Sequence, residues 1–412
     1  MAGLTKRYSF FLNKINLLLI MFIDGLGMSL VIPLLNGLFS EHDHIHTLLR
    51  SGTPLWLEQF YYAGSLLCFS LAMVIGACVL GQLSDIHGRK KTLYAALIGS
   101  VVGYLFCGLA IIIRSPLMFL IGRTIDGLTA GSIPVAQAML ADLGRPNQQI
   151  TGIAQVMFAV TAGYICGPLI AFAFTMSAWQ SYAWPFFMVA LFCGFSLLLL
   201  TFLHEQVPSI SRKLELDLSV IWKNIVHLWE CKGLRVLLLS FFLFQCGWSF
   251  FYQYMPKITV AYNHIPGFSI AWAMAEVGVL MCLGFCFFVP MVQKILSLKK
   301  IIVFSLAIFS GLVVCYLIWR VDYIVFQLIS VVMAVLYTLG YSSLLAFMLG
   351  MADDHQKGLL LGCVASICAI SSSITALSGS VYVLFGYQIF FMTLFLMSVS
   401  SLFLFVFHAR KA

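Results

Sequence analysis

The sequence predicts an all-α membrane protein of twelve transmembrane helices in two six-helix halves, and three observations carry that prediction. Hydrophobic residues make up 62% of the 412 and charged residues 9%, with a mean hydropathy of +1.02. A soluble domain carries roughly a quarter charged residues and has no way to hide so much apolar surface. Apolar runs of spanning length recur along the chain, and at about 20 residues per span plus short loops there is room for about twelve. The longest hydrophilic stretch, residues 204–234, divides these runs six and six. The expected organisation is an N-terminal bundle (1–203), a linker (204–234) and a C-terminal bundle (235–412).

The first span runs from about Ile15 to Leu35 behind Lys6, Arg7 and Lys14. It imitates a secretory signal at its start, but it is too long, contains Asp24 and lacks a small-residue cleavage site. Pro33 removes a helix hydrogen bond and is expected to bend its outer third. The loop that follows contains Glu41, His42, Asp43, His44 and His46. These are metal-ligand types at close spacing, yet nothing evident preorganises them, so a solvated or pH-responsive loop is expected, with metal binding as the alternative. The other spans are read at about 60–83, 92–113, 116–138, 150–176, 182–203, 235–258, 269–293, 300–319, 322–348, 358–383 and 385–407. Assigning the connections alternately puts 18 Lys and Arg on one side and only Arg50, Arg114, Lys257 and Arg320 on the other. Both termini are therefore expected in the cytoplasm. Bases at segment ends, without interleaved aromatics, set topology and do not indicate nucleic acid. The cysteines lie almost all inside apolar segments and no CxxC occurs, so neither disulfide nor metal is expected of them.

Between spans two and three stands GQLSDIHGRKKTL, Gly81 to Leu93. Gly81 is read as ending one helix, and Gly88 as supplying a positive φ in a tight turn. Asp85, Arg89 and Lys90 then place charge at the membrane surface. The pattern G-x-L-x-D-x-x-G-R-K-x-x-L resembles the signature loop of the major facilitator superfamily, except that Ile86 stands where the family usually has a base. The resemblance implies the major facilitator fold, and a gating role for Gly81, Asp85, Gly88, Arg89 and Lys90 in which Asp85 and Arg89 latch the cytoplasmic ends of the halves. FIDGLGMSLVIPLL in the first span is similar to the first helix of bacterial tetracycline/proton antiporters and related drug antiporters, with Asp24, Gly27 and Pro33 at matching positions.

In span four, Arg123 and Asp126 lie at i and i+3 on one helix face, where they can neutralise each other. Arg123 and Gly127 resemble the superfamily motif whose arginine is associated with proton transfer, while Asp126 replaces the usual Gln. In span five, Gly163, Gly167 and Pro168 resemble the G-x-x-x-G-P core associated with antiporters. Physically, the two glycines permit close helix approach and the proline a bend. Ala141-Asp142 recurs as Ala352-Asp353, Gly131 as Gly340 and Gly152 as Gly362, at offsets of 211, 209 and 210, which suggests a repeat of the halves.

Asp24 lies about ten residues inside its span, near mid-membrane, with no base in its own helix, so desolvation opposes its charge. It is the expected coupling carboxylate, with Arg123 helping to discharge it, Asp126 as modulator, and Glu276 as a weaker candidate that would suit a cationic substrate. Asn36, Gln137, Gln155, Gln245, Trp248, Tyr252, Gln327 and Tyr341 are polar or amphipathic positions on apolar helices and are the expected substrate-cavity residues. The sequence holds no phosphate-binding loop, and neither a cofactor, a metal nor an enzymatic activity is expected. The expectation is a monomeric inner-membrane transporter that exports a small molecule against protons. Proton-driven uptake of a nutrient or siderophore is the alternative, and a sensor on the same fold the reading from another class.

Overall fold

The computed structural model describes residues 2–39, 47–50, 52–130, 132–133, 135–136, 139, 149–176, 181–203, 232–263, 267–318, 323–351 and 354–409. Several sequence expectations fall outside them: the acidic and histidine-rich loop, Gln137, most of the linker, and the Gly131, Ala141-Asp142 and Ala352-Asp353 members of the repeat. The side chain of Asp85 is likewise outside the description.

The described residues form twelve helical segments. In chain order they are α1 (Ala2–Leu38), α2 (Leu55–His87), α3 (Arg89–Ile112), α4 (Pro116–Thr129), α5 (Gln149–Met176) and α6 (Ala183–Thr201), followed by α7 (Lys232–Asn263). Next comes α8 (Gly267–Leu283), which continues through a π-helical turn (Gly284–Phe288) into Val289–Ile295. The last four are α9 (Leu298–Ile318), α10 (Tyr323–Met351), α11 (Asp354–Phe385) and α12 (Tyr387–Ala409). Among the described residues nine helices are long and apolar enough to cross a membrane. Helix is the form such segments must take, because a lipid-exposed backbone has no other way to satisfy its N–H and C=O groups.

One expectation about these helices needs correction. Gly81 does not end a helix: α2 runs through it to His87. Within this last turn Ser84 Oγ donates back to the Gly81 carbonyl at 2.9 Å. The connection to α3 is Gly88 alone, at φ 96° and ψ 153°. Only glycine adopts that backbone without strain, which any other residue would feel as about 1–3 kcal/mol. Pro33, where a bend is expected, lies inside α1, which continues five residues beyond it to Leu38.

By contact the chain divides into two compact units, Met1–Thr53 with Cys68–Leu218, and Pro54–Leu67 with Ser219–Ala412. In the first, α1 packs along α5 and α3 packs between α4 and α6. A core of Leu17, Ile20, Met21, Leu93, Ala96, Val156 and Leu200 fills one end. The α1–α5 contact explains the glycines of span five. A Cβ on Gly163 would overlap the Phe22 carbonyl, and one on Gly167 would overlap Ser29 Oγ and lie 2.7 Å from the Leu26 carbonyl. Backbone cannot step aside as a side chain can, so Gly167→Leu is expected to destabilise by about 1–3 kcal/mol or more. A thermal melt of the detergent-solubilised protein, followed by size-exclusion profile, measures this directly; an unchanged melt would mean α1 and α5 are not held this closely. In the second unit α7 packs on α11 and α12, α9 on α10 and α12, and α8 on α10.

Candidate functional site

The first unit contains a buried charge cluster. Arg123 Nη1 donates to Asp126 Oδ2 at 2.7 Å, with the two side chains 3% and 4% exposed. Ser115 caps α4 by accepting from Met118 N at 3.3 Å, with Pro116 at the first helical position, and this sets the register that puts Arg123 and Asp126 on one face. The guanidinium carbon lies 4.1 Å from the centroid of the Phe69 ring on α2, a cation–π contact in a dry setting. Among the described residues Arg123 Nε has no hydrogen-bond partner. The Tyr104 hydroxyl on α3 is a further hydrogen-bond partner of Asp126. Close helix approach brings it there: a Cβ on Gly103 would sit 2.8 Å from Asp126 N, and one on Gly27 of α1 would overlap the Tyr104 hydroxyl.

Asp24 comes from α1 and is 7% exposed. Its Oδ2 accepts from Ser132 Oγ, and it feels the charge of Asp126. Its hydrogen-bond partner is thus a neutral hydroxyl, while the one guanidinium of the cluster is bonded to the other carboxylate. Two buried carboxylates and one guanidinium carry a net negative charge unless one carboxylate holds a proton. An excess charge in such a place is costly.

The second unit gathers most of its expected cavity residues. Tyr337 donates to Gln245 Oε1 at 3.0 Å, and Gln245 Nε2 donates to Ser249 Oγ at 3.4 Å. Trp248 stacks on Tyr337 with ring centroids 4.2 Å apart at 11°, and on Tyr252 at 6.0 Å and 21°. Tyr341 meets Tyr337 at 5.7 Å and Phe241 at 5.3 Å. Gln327 and Glu276 form a separate pair: Gln327 Nε2 donates to Glu276 Oε2 at 2.6 Å and to the Ala273 carbonyl at 3.2 Å, leaving Gln327 Oε1 without a partner. Asn36 and Gln155 are half-buried on α1 and α5. In the signature turn, Arg89 Nη1 donates to Ser84 Oγ at 2.6 Å. Lys90 Nζ donates to the Thr201 and Leu203 carbonyls at 3.0 and 2.6 Å, at the C-terminal end of α6. A cation belongs there, where the last carbonyls of a helix lack partners.

Sequence reasoning missed Ser132, Tyr104, Phe69 and Tyr337. Each is one ordinary residue on an apolar helix, and only tertiary contact distinguishes it. Lys257, read above among the bases of the outer connections, lies in α7 and is 7% exposed.

Long apolar helices folded around buried charge define a multi-pass helical membrane protein. The chain belongs to the major facilitator superfamily, a family of transporters, and residues 17–264 match it. It is 32% identical over 184 residues to the tetracycline resistance protein, class G, of Vibrio anguillarum, a match covering 44% of this chain and 42% of that one. The class B tetracycline resistance protein of Escherichia coli is 26% identical over 230 residues, covering 55% and 53%. The matched stretch therefore spans about half the length of these relatives. Over nearly the whole chain the fold is that of the human organic anion transporter MFSD10 (TETRAN), with a TM-score of 0.72, 21% identity and coverage of 96% of this chain and 99% of that one. The POT family transporter PepTSo gives a TM-score of 0.74 at 13% identity, covering 97% and 98%.

Proposed function

We propose that the protein is a proton-coupled secondary active transporter that exports a small molecule by alternating access. The observation that carries this reading is the Asp24 cluster, two buried carboxylates with one guanidinium, which is bonded to Asp126. Asp24 takes the proton, Arg123 disfavours its return to Asp126 and eases its release, and Tyr104 and Ser132 hold the two carboxylates in place. Export is the reading favoured by the tetracycline resistance relatives and by the span-one and span-five resemblances. Gln245, Trp248, Tyr252 and Tyr341, with Tyr337 added, form the wall that receives a substrate, and Glu276 with Gln327 offers acceptors to a cationic or hydrogen-bond-donating group. Gly81, Asp85, Gly88, Arg89 and Lys90 serve as the gate. The protein works as a monomer in the inner membrane with both termini cytoplasmic, its bundles 1–203 and 235–412 joined by 204–234.

The test is directional flux in vesicles of both orientations, with radiolabelled tetracycline and a fluorescent organic anion as probes. Export predicts accumulation in everted vesicles with an acid interior, abolished by a protonophore. Accumulation in right-side-out vesicles would instead mean uptake, and no probe movement or proton flux in either would leave a sensor.

A further inference from the structure

The Glu276–Gln327 pair of the second unit holds a buried acceptor that the described residues leave unsatisfied. Gln327 is 9% exposed, and the chemistry of its neighbours fixes which way its amide faces. The Glu276 carboxylate and the Ala273 carbonyl are both acceptors, so both must meet the amide nitrogen. Turning the amide over would set oxygen against oxygen twice. Oε1 is therefore held in one direction, and among the described residues it meets no donor. Buried polar atoms are rarely left this way, because the group has lost its water without gaining a partner.

Glu276 adds the charge. It is half-buried on α8, and among the described residues its partner is this neutral amide and no base. A carboxylate in a spanning helix is costly without a counter-charge. Because Oε1 shares an amide with the nitrogen 2.6 Å from Glu276 Oε2, the two oxygens stand no more than about 5 Å apart. One cationic nitrogen donating two hydrogen bonds of about 2.8 Å spans that gap. Trp272, 50% exposed, lies one turn before Glu276 on the same helix face. An indole there favours a cation or an aromatic group beside it.

We propose that Glu276 and Gln327 Oε1 form a recognition site for a protonated amine carried on an aromatic or apolar body, with Gln327 reading its N–H. The carboxylate alone would accept any cation. The amide oxygen adds a demand for a donor, which a quaternary ammonium does not meet. This rests on the transporter reading above and narrows its substrate to N–H-bearing amines.

The test is equilibrium binding, by fluorescence anisotropy, to the purified protein in nanodiscs of phosphatidylcholine, whose headgroup has no N–H. The probes are dansylcadaverine, a primary amine, and its trimethylammonium analogue, which keeps the charge and the aromatic group and loses the N–H. The parent is expected to bind the primary amine at least about tenfold more tightly, the scale of one charge-assisted hydrogen bond. Gln327→Met is expected to bring the two affinities within about twofold of each other, and Glu276→Gln to lose tight binding of both. Gln327→Lys seats its own ammonium against Glu276 in the ligand's place; it serves if Gln327→Met does not fold, and is expected to lose binding of both probes. Equal affinities in the parent, or a preference for the primary amine that survives loss of the amide, overturns the proposal. Adding phosphatidylethanolamine to the discs is expected to leave binding unchanged, whereas competition by that lipid overturns the assignment to a substrate and gives the site to a headgroup. Because neither flux nor a proton gradient is read, failure of amine recognition and failure of the transporter reading are separate results.

Discussion

Arg123→Met is expected to cost the protein about 3–5 kcal/mol, because it leaves the Asp126 carboxylate buried without its counter-charge. With Asp126 3% exposed and Arg123 2% exposed, water has little access to repair the loss. Methionine has a similar reach and still packs on Phe69, so the deficit is electrostatic and is not a cavity. The expected readout is a large drop in melting temperature and in the yield of monodisperse protein. The double variant Arg123→Met, Asp126→Leu removes both charges and is expected to recover most of the melting temperature, since replacing a buried pair with apolar groups is often neutral. It should nevertheless fail to couple transport to protons, because the charge that discharges Asp24 is gone. If Arg123→Met melted like the parent, the pair would contribute nothing to holding the bundle, and the orphaned carboxylate would have found another partner.

Much of the fold was legible in the sequence because lipid imposes a coarse rule on every span. Apolar runs of about 20 residues become helices whatever their neighbours do, so the spans expected at 60–83 and 235–258 reappear in α2 and α7. Their ends were less legible. Gly81 reads locally as a helix stop, yet α2 runs on to His87. The candidate site was legible where its logic is local. Arg123 and Asp126 share a helix face at i and i+3, and their 2.7 Å contact follows from that spacing. Partners on other helices left no such trace. Nothing near Ser132 or Tyr104 marks them as the groups that hold Asp24 and Asp126. Lys257 is similar: its place near a span end gives no sign of Gln59 and Tyr62 packed against it.

Asp24→Asn tests the central claim most directly. Asparagine matches aspartate in size and still offers Ser132 an acceptor, so the bundle around α1 should remain intact and the melting temperature close to that of the parent. What it removes is the one carboxylate of the cluster without a guanidinium bonded to it. The measurement is made in proteoliposomes with an acid interior, with proton exit followed by an interior pH dye and radiolabelled tetracycline as the probe, alongside exchange of the same probe without a gradient. The account predicts that proton-driven accumulation falls by about two orders of magnitude or more, the scale on which losing a group essential to proton transfer acts, while probe binding and passive exchange continue. Accumulation against a gradient that persists in Asp24→Asn, with proton exit still coupled to it, would contradict the account and pass the coupling role to Asp126 or Glu276.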